Sequence, residues 1–464
     1  MATTPQTVPA APDAPPDLQT LAKRHLWMHF TRMGAYTDAD VPVIARGEGC
    51  YVWDSQGNRY LDGLSALFCV NVGHGRAEIG EAMAAQAAEL GFFTNWSYAH
   101  PRAIELAARV ASYAPGDLNR VFFVSGGSEA VESAWKLARQ FHQARGERRW
   151  KAISRRTAYH GTTMGALSIN GIPSLRAPFE PLVPDVIHVR NTARYHRPPE
   201  ETVEELTAFL LDDLEAAIVA AGPETVAMVM MEPVQNAGGA LVAPAGYWRG
   251  VREICDRYGI LLCADEVITG FGRIGAWFAS ERYEIRPDLI TCAKGLSSAY
   301  ASIGAVIAGD HVMEPFLDGT AMYSHGITFG GHPVQAAVAL KNIEIMKRER
   351  IVEGVRENED AFRATLAQLL DLPIVGDLRG AGYFWAIELV KDKETKAGFS
   401  DEESETLLRD FLSPRFFEKG LICRSDDRGD PVVQISPPLI AGQTEFDEMV
   451  GIVGDVLTEA WARI

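Results

Sequence analysis

Short apolar runs alternate with amphipathic stretches through the middle of the chain. The runs are residues 121–124, 187–189, 226–231, 260–264, 289–292 and 303–308. Continuous apolar runs of this length are typical of strands that are buried on both faces of a parallel sheet. Their alternation with helical patterns indicates βαβ units. The sequence therefore predicts an α/β fold with a mostly parallel sheet between layers of helices.

The pattern changes at both ends of the chain. Residues 51–61 predict a hairpin whose turn is Asp-Ser-Gln-Gly-Asn. Beyond about residue 338, amphipathic helices at 353–370 and 402–419 accompany short strands at 384–389 and 432–435. We expect four parts: a disordered tail at 1–17, an N-terminal segment at 18–80 that joins a small domain, a large domain at 81–337, and the small α+β domain at 338–464.

Composition and charge narrow the classes of function. The chain has 464 residues, 47% of them hydrophobic, which is enough for more than one domain core. A net charge of −17 argues against nucleic-acid or anionic-membrane partners. No apolar run approaches the length of a membrane span, and the first seventeen residues lack the features of a signal peptide. Six cysteines without C-x-x-C spacing predict neither a disulfide framework nor a metal site, so we expect a cytoplasmic protein.

An acid and an amine follow two of the predicted strands. Asp265 ends the run at 260–264, and Lys294 follows the run at 289–292 with Gly295 beside it. Ligands of open α/β sheets bind at the carboxyl ends of strands, so both side chains are expected to face one crevice. The pair fits a structural ion pair, or a Schiff-base lysine with an aspartate bonded to the ring nitrogen of pyridoxal 5'-phosphate. The two residues alone favour the ion pair.

Two further features change that balance. Residues 121–129 predict a strand, a glycine turn and a helix start, which would direct backbone N–H groups and the Ser128 hydroxyl at an anion. A plain N-cap at Ser128 explains the same residues. Tyr159 follows a predicted strand at 151–154 and could stack on a flat ring whose other face Val267 covers, although ordinary packing also explains a single tyrosine.

Taken together, these motifs resemble those of the class III aminotransferases, which are fold type I enzymes of pyridoxal phosphate. The matching segments are Leu-Asp-Gly at 61–63, Gly-Ser-Glu at 127–129, Tyr-His-Gly at 159–161, Glu-Pro-Val at 232–234, Asp-Glu-Val at 265–267, Lys-Gly at 294–295 and Thr-Phe-Gly-Gly-His-Pro at 328–333. Each motif is short, but their order and spacing together are specific. The resemblance implies a seven-stranded sheet in the large domain and a smaller domain built from both chain ends.

The resemblance also implies roles for individual residues. Lys294 would form the Schiff base and then shuttle a proton as general acid and base. Asp265 would keep the ring nitrogen protonated, and Glu232 would support the residues around the cofactor. Gly127 and Ser128 would bind the phosphate, while Tyr159 and Val267 would cover the two faces of the ring. Thr328 would complete the phosphate site of the neighbouring subunit, so a homodimer, or a tetramer made of such dimers, is expected.

The expected substrates are an amine donor and a keto acid. Ala237 stands where the 4-aminobutyrate and ornithine branches typically carry a glutamate, and Ile268 stands where they often carry glutamine. Both differences favour the ω-amine:pyruvate branch. Arg424 resembles the mobile arginine that binds the carboxylate of pyruvate or alanine there, although a surface salt bridge would also explain it. Phe30, Phe68 and Trp96, together with Tyr159, are expected to line the substrate pocket.

Other readings remain open on the sequence. An aminomutase, a racemase or a decarboxylase can use the same scaffold. An aminomutase or a racemase needs no keto-acid acceptor. A non-catalytic regulator would need a basic DNA-binding module, which the residues before Val41 do not supply. Gly126, where many relatives have serine, lacks a hydroxyl that could bind phosphate, so we expect Gly126→Ser to strengthen cofactor binding. The donor and its stereochemistry are not encoded in these motifs.

Overall fold

A computed structural model describes residues 17–464 of the chain. The strands in this region are β1 Ile44–Glu48, β2 Tyr51–Asp54, β3 Arg59–Asp62, β4 Leu118–Val124, β5 Lys151–Arg155, β6 Val186–Val189, β7 Val226–Met231, β8 Val234–Gln235, β9 Leu241–Val242, β10 Leu261–Asp265, β11 Leu289–Cys292, β12 Gly304–Gly309, β13 Val375–Ala381, β14 Phe384–Leu389, β15 Leu421–Ile422, β16 Arg424–Asp426 and β17 Val432–Ile435. Each apolar run of the sequence coincides with one of them, within a few residues.

The helices separate the strands as the pattern predicts. They are α1 Leu18–His25, α2 Ser65–Phe68, α3 Ala77–Glu89, α4 Pro101–Ala111, α5 Gly127–Ala144, α6 Met164–Ile169, α7 Pro173–Arg176, α8 Val203–Ala221, α9 Tyr247–Tyr258, α10 Ala279–Arg282, α11 Asp310–Met313, α12 Pro333–Arg348, α13 Ile351–Ala367, α14 Asp401–Glu405, α15 Ser413–Glu418 and α16 Gln443–Trp461. Local signals set several ends. A capping box between Thr202 and Glu205 begins α8, and left-handed Gly259 ends α9.

The main sheet has seven strands in the order β4-β12-β11-β10-β7-β5-β6. Neighbouring strands run parallel except at β12, which is antiparallel to both β11 and β4. The fold class expected from the sequence is therefore confirmed, with one reversed strand in the sheet. Strands β7, β10, β11 and β12 are buried along their whole length, as a sheet covered on both faces requires.

Both chain ends contribute to the smaller sheets. Strands β1, β2 and β3 form an antiparallel meander, and β15 from the C-terminal part pairs with β3. Strands β13, β14, β17 and β16 form a second four-stranded sheet. The helix expected at 402–419 is not a uniform α-helix, because Thr406–Leu412 forms a π-helical segment between α14 and α15. Pro414 supplies no N–H there, and the Ser413 hydroxyl instead donates to the Leu408 carbonyl at 2.8 Å.

In residues 17–464, every helix is too short or too polar to cross a lipid bilayer. The predicted tail at 1–17 lies outside the described residues apart from Asp17, whose carboxylate caps α1. The domain boundaries proposed above stay a prediction.

Candidate active site

The carboxyl ends of β4, β10 and β11 border a cavity of about 280 Å³. Its walls include six of the residues that the sequence predicted to act together, namely Gly127, Ser128, Tyr159, Asp265, Val267 and Lys294. Glu232 lines it as well. These residues come from five separate segments of the chain, and they meet because strand ends of a parallel sheet share one edge.

Asp265 is the last residue of β10 and is almost fully buried. Its carboxylate faces His160, with 2.7 Å between Oδ2 and the ring Nδ1. The other oxygen accepts hydrogen bonds from the Thr291 hydroxyl and from the Val267 N–H, both at 3.1 Å. Three neighbours thus hold a buried negative charge in a fixed orientation at the cavity wall.

Lys294 lies in the turn that follows β11. Its backbone has φ +36°, a left-handed conformation that a non-glycine residue adopts at an energetic cost and that is found at functional sites. Burial is the main cause that lowers the pKa of its amine, and the positive charge of Arg424 acts in the same direction, while Cys69, Asp265 and Glu232 oppose the shift. A neutral amine is the nucleophilic form of lysine. Residues 17–464 contain no ion pair between Lys294 and Asp265, so the structure does not support the plain ion-pair interpretation.

The predicted phosphate turn forms the N-terminus of α5. Gly126 occupies the N-cap position and makes no side-chain cap. A side chain on Gly127 would place its Cβ 3.0 Å from Val267 Cγ1. The glycine therefore allows the start of α5 to approach Val267 closely. Gly161, at φ +121°, leaves room for Ser128 in the same way. The Ser128 hydroxyl accepts the Thr162 N–H at 3.1 Å, which fixes it at the helix start.

Tyr159 and Glu232 meet on the neighbouring wall. The Tyr159 N–H donates to Glu232 Oε1 at 3.2 Å, and the Asn236 N–H donates to Oε2 at 2.8 Å. Burial raises the pKa of the Glu232 carboxyl. Burial also raises the pKa of the Tyr159 phenol, against the opposing charges of Arg428 and Arg424.

Arg424 begins β16 and lies within electrostatic reach of Lys294 and Tyr159. Burial and the nearby Arg428 lower its pKa to about 10. Its Nε lies 3.7 Å from Asp426 Oδ2, and 28% of its side chain is exposed. Arg424 therefore lies near the cavity and does not form a salt bridge on a remote surface.

Four predicted residues are not at this cavity in the single chain. Phe68 is buried and packs edge-on against Phe384, with ring centroids 5.5 Å apart, so it faces the protein core. Phe30 is 76% exposed and Trp96 is 60% exposed. Trp96 lines a separate concavity together with Met322 and His325, and Thr328 is exposed near it. The pocket-wall and phosphate roles of these four residues stay predictions.

The structure adds residues that sequence reasoning missed. His160 holds Asp265, although it stood in a motif read for its tyrosine, and its Nε2 is buried without a hydrogen-bond partner in residues 17–464. Cys69 lines the cavity. Arg428 stacks its guanidinium over the Tyr159 ring, 5.5 Å from the centroid. Arg428 lies in the turn that follows β16, so strand periodicity gave no signal for it.

Comparison with known proteins identifies the family. The model for "Aminotransferase class-III" matches residues 35–457. The chain belongs to the class III aminotransferases. It is 55% identical to the probable aminotransferase Rv3329 of Mycobacterium tuberculosis over 449 residues, covering 97% of this chain and 96% of the relative. It is 38% identical to the putrescine–pyruvate aminotransferase of Pseudomonas aeruginosa, covering 96% and 97%.

Solved structures of the family have the same fold. An (S)-enantioselective ω-transaminase from Thermomicrobium roseum superposes with a TM-score of 0.91 at 38% identity, covering 96% of this chain and 98% of that one. The ω-transaminase from Pseudomonas jessenii, in complex with PMP, gives 0.92 at 33% identity, covering 97% and 99%. This aminotransferase is therefore a fold type I enzyme of a pyridoxal-phosphate-dependent family, and its substrates are an amine and a keto acid.

The cavity residues fit that cofactor. The uncapped N-terminus of α5 offers backbone N–H groups to a phosphate. A buried carboxylate and a buried lysine with a lowered pKa stand on the same cavity wall. Val267 and Tyr159 supply an aliphatic and an aromatic surface for a flat ring.

Proposed function

We propose that this aminotransferase binds pyridoxal 5'-phosphate and moves an amino group from an amine or ω-amino acid to pyruvate, giving alanine, by a ping-pong mechanism. The observation that carries the proposal is that one cavity contains both Lys294, whose amine has a lowered pKa, and Asp265, whose carboxylate is fixed by His160. The similarity to a putrescine–pyruvate aminotransferase supports pyruvate as the acceptor.

Each residue has a defined task in this proposal. Bound pyridoxal phosphate would supply an electron sink for the carbon that carries the amine. Lys294 would hold the cofactor, and its amine, once freed by the substrate, would act as general base and then general acid on the proton of the substrate carbon. The negative charge of Asp265 favours a protonated ring nitrogen. The N-terminus of α5 and the Ser128 hydroxyl bind the phosphate, and Tyr159 and Val267 hold the ring between them.

The substrate side of the site must accept two kinds of molecule. Arg424 would bind the carboxylate of pyruvate or alanine in one half-reaction. Ile268 and Val234 line the cavity, so an apolar amine would find an apolar wall in the other half-reaction. Phe30, Phe68 and Trp96 are proposed to shape this pocket in the assembled enzyme.

We also propose that two copies of the chain share their active sites, as a homodimer or a tetramer of dimers. Support comes from large apolar side chains exposed on two neighbouring segments, 92–98 and 322–329. They are Phe92 (43% exposed), Phe93 (46%), Trp96 (60%), Tyr98 (63%), Met322 (71%) and Phe329 (56%). Single exposed hydrophobics are ordinary, but a group of this kind favours a covered interface. Thr328 lies within the second segment. The six free cysteines fit a cytoplasmic location.

The absorption spectrum of the purified protein tests the proposal. We expect a visible band from lysine-bound pyridoxal phosphate that bleaches with an amine from a panel and returns with pyruvate, with one alanine formed per amine consumed. Lys294→Ala should bind the cofactor without the cycle. If no band appears even with added pyridoxal phosphate, the proposal is wrong. If the protein converts many equivalents of the amine without an acceptor, an aminomutase, a racemase or a decarboxylase replaces the proposal.

A further inference from the structure

Three charged side chains, Arg424, Asp426 and Arg428, follow one another at every second residue and lie close together. We propose that Arg428 holds Asp426 away from Arg424, so that the site presents one free positive charge and selects acceptors with a single carboxylate. This inference deepens the proposed function and rests on it. Arg428 and Asp426 would be positioning residues, because they act on the substrate through Arg424.

The geometry shows that Asp426 belongs mainly to Arg428. Two guanidinium nitrogens of Arg428 donate to the two carboxylate oxygens, Nε at 2.8 Å and Nη2 at 2.6 Å. The Arg428 backbone N–H adds a third bond at 3.2 Å. Arg424 approaches the same carboxylate only to 3.7 Å. A fork-like, bidentate pair is the strongest arrangement that arginine and a carboxylate can form.

Exposure separates the two arginines further. The side chain of Asp426 is 3% exposed and that of Arg428 is 10% exposed, whereas Arg424 is 28% exposed. Arg428 also lies over the Tyr159 ring, which adds a cation–π contact. Arg424 is thus the guanidinium that an entering anion reaches, and Arg428 is already paired. The three side chains carry two positive charges and one negative charge, which leaves a net charge of one.

The hairpin that carries Arg428 is fixed at both ends. Asp427 pairs with Arg409 at 2.9 Å, and Asp430 pairs with His196 at 3.4 Å. A side chain on Gly429, at φ +123°, would lie 3.2 Å from the Gly238 Cα, so the loop packs directly on the large-domain backbone. With its loop anchored in this way, Arg428 keeps its position when Arg424 moves.

Removal of Arg428 and removal of Asp426 should change the binding of acceptors in opposite directions. In Arg428→Gln, Asp426 loses its bidentate partner and becomes the counter-ion of Arg424, so pyruvate must compete with an internal carboxylate. In Asp426→Asn, both arginines lack that counter-ion, and a second carboxylate on the acceptor finds a partner. In the double variant Asp426→Asn/Arg428→Gln, Arg424 is the one charged side chain of the three, so the net charge is one, as in the wild type.

The experiment measures KM and kcat/KM of the holoenzyme for pyruvate and for 2-oxoglutarate, a keto acid with two carboxylates. We expect Arg428→Gln to raise the KM for pyruvate roughly tenfold, as the loss of one charge-assisted hydrogen bond would. The half-reaction of this variant with an amine that has no carboxylate should change far less. Asp426→Asn should raise the ratio of kcat/KM for 2-oxoglutarate over pyruvate about tenfold, and the double variant should return both values toward the wild type.

Thermal unfolding in the presence of unreactive acids tests the same inference without turnover. Propionate and glutarate are unreactive acids with one and two carboxylates, and each stabilises the protein in proportion to its binding. Glutarate should raise the melting temperature of Asp426→Asn more than that of the wild type. Arg415→Gln is the matched control, because it removes a bidentate arginine–carboxylate pair, with Glu459, that lies outside this hairpin. Its acceptor ratio should equal that of the wild type.

Two results separate this inference from the proposed function. If the wild type forms alanine but the two single variants keep the wild-type ratio of 2-oxoglutarate to pyruvate, the inference is wrong and the proposed function stands. If the double variant is as impaired with pyruvate as Arg428→Gln, Arg428 acts on the substrate directly and the positioning role is wrong. A wild type that does not react with pyruvate overturns the proposed function itself.

Discussion

The glycine turn at the start of α5 permits a sharp comparison of two adjacent positions. A Cβ on Gly127 would lie 3.0 Å from Val267 Cγ1 and 3.3 Å from Cγ2, whereas a Cβ on Gly126 would meet no heavy atom within 4 Å. Gly126 has φ −175°, an extended conformation that any residue adopts. Gly127→Ala therefore overpacks the turn, and Gly126→Ser does not.

The cost of Gly127→Ala follows from what Val267 can do. Valine has one stiff side-chain torsion, so it relieves the contact chiefly by moving its backbone, and its N–H is bonded to Asp265. Overpacking of this kind costs about 1–3 kcal/mol, and alanine returns about 0.4–1 kcal/mol by restricting the unfolded chain. We expect the free energy of unfolding to fall by about 1–2 kcal/mol. Because Gly127 and Val267 both line the cavity, their displacement should separately weaken the binding of pyridoxal phosphate, by roughly tenfold.

Titration of the apoenzyme with pyridoxal phosphate, followed by tryptophan fluorescence, measures this loss, and thermal unfolding of the same samples measures stability. Gly126→Ser should bind several-fold more tightly than the wild type, because its hydroxyl adds a hydrogen bond of about 1 kcal/mol to the phosphate without a clash. The reasoning is refuted if Gly127→Ala binds the cofactor as the wild type does, or if Gly126→Ser is equally impaired.

Three other outcomes are expected. Asp265→Asn removes the buried negative charge, so kcat should fall at least about a hundredfold while the circular dichroism spectrum is retained. His160→Ala removes the 2.7 Å contact that orients Asp265 and should lower kcat about tenfold to a hundredfold, less than Asp265→Asn; an equal or larger loss would mean that His160 contacts the substrate. His311 lies 3.0 Å from both Asp288 and Asp117, and its pKa is raised to about 9 chiefly by the bond to Asp288. The folded pKa exceeds the ordinary value, so the stabilisation is complete below about pH 6.5 and is lost as the pH rises through 9; His311→Asn should lower the free energy of unfolding by about 1 kcal/mol at pH 6, after discounting for its 40% exposure, and by almost nothing at pH 10. A difference that does not depend on pH would assign the effect to packing.

The catalytic end of the site was predictable because parallel strands order it. Asp265 and Lys294 each follow an apolar run, and the edge at which such runs end is common to all parallel neighbours. The sheet therefore converts a one-dimensional pattern into a cavity. The structure also gives a reason for the glycines of two motifs, Gly127 and Gly161, since Val267 and Ser128 approach them closely.

The pocket walls were less predictable because they depend on local backbone geometry and, in the proposed dimer, on a second chain. Ser65, Ala66 and Phe68 all have positive φ, so the turn that carries Phe68 is not a regular element and its side-chain direction cannot be read from periodicity. Phe68 accordingly packs on Phe384 in the core. Trp96 and Thr328 lie on the exposed segments that we assign to an interface, where one chain alone does not define the surroundings.

Charge pairing explains why His160 and Arg428 escaped the sequence analysis although both lie beside the site. A buried ion needs a partner, but the partner's position is set by tertiary contact: 105 residues separate His160 from Asp265. In contrast, Arg428 is only two residues from Asp426, but it lies in the turn after β16, where strand periodicity does not fix the direction of its side chain. Asp265 is thus held by His160 and Asp426 by Arg428, while the third buried carboxylate, that of Glu232, accepts two backbone N–H groups. Within residues 17–464, neither Lys294 nor Arg424 has a carboxylate at hydrogen-bonding distance. This leaves the Lys294 amine available for the proposed chemistry and the Arg424 guanidinium available for the proposed substrate carboxylate.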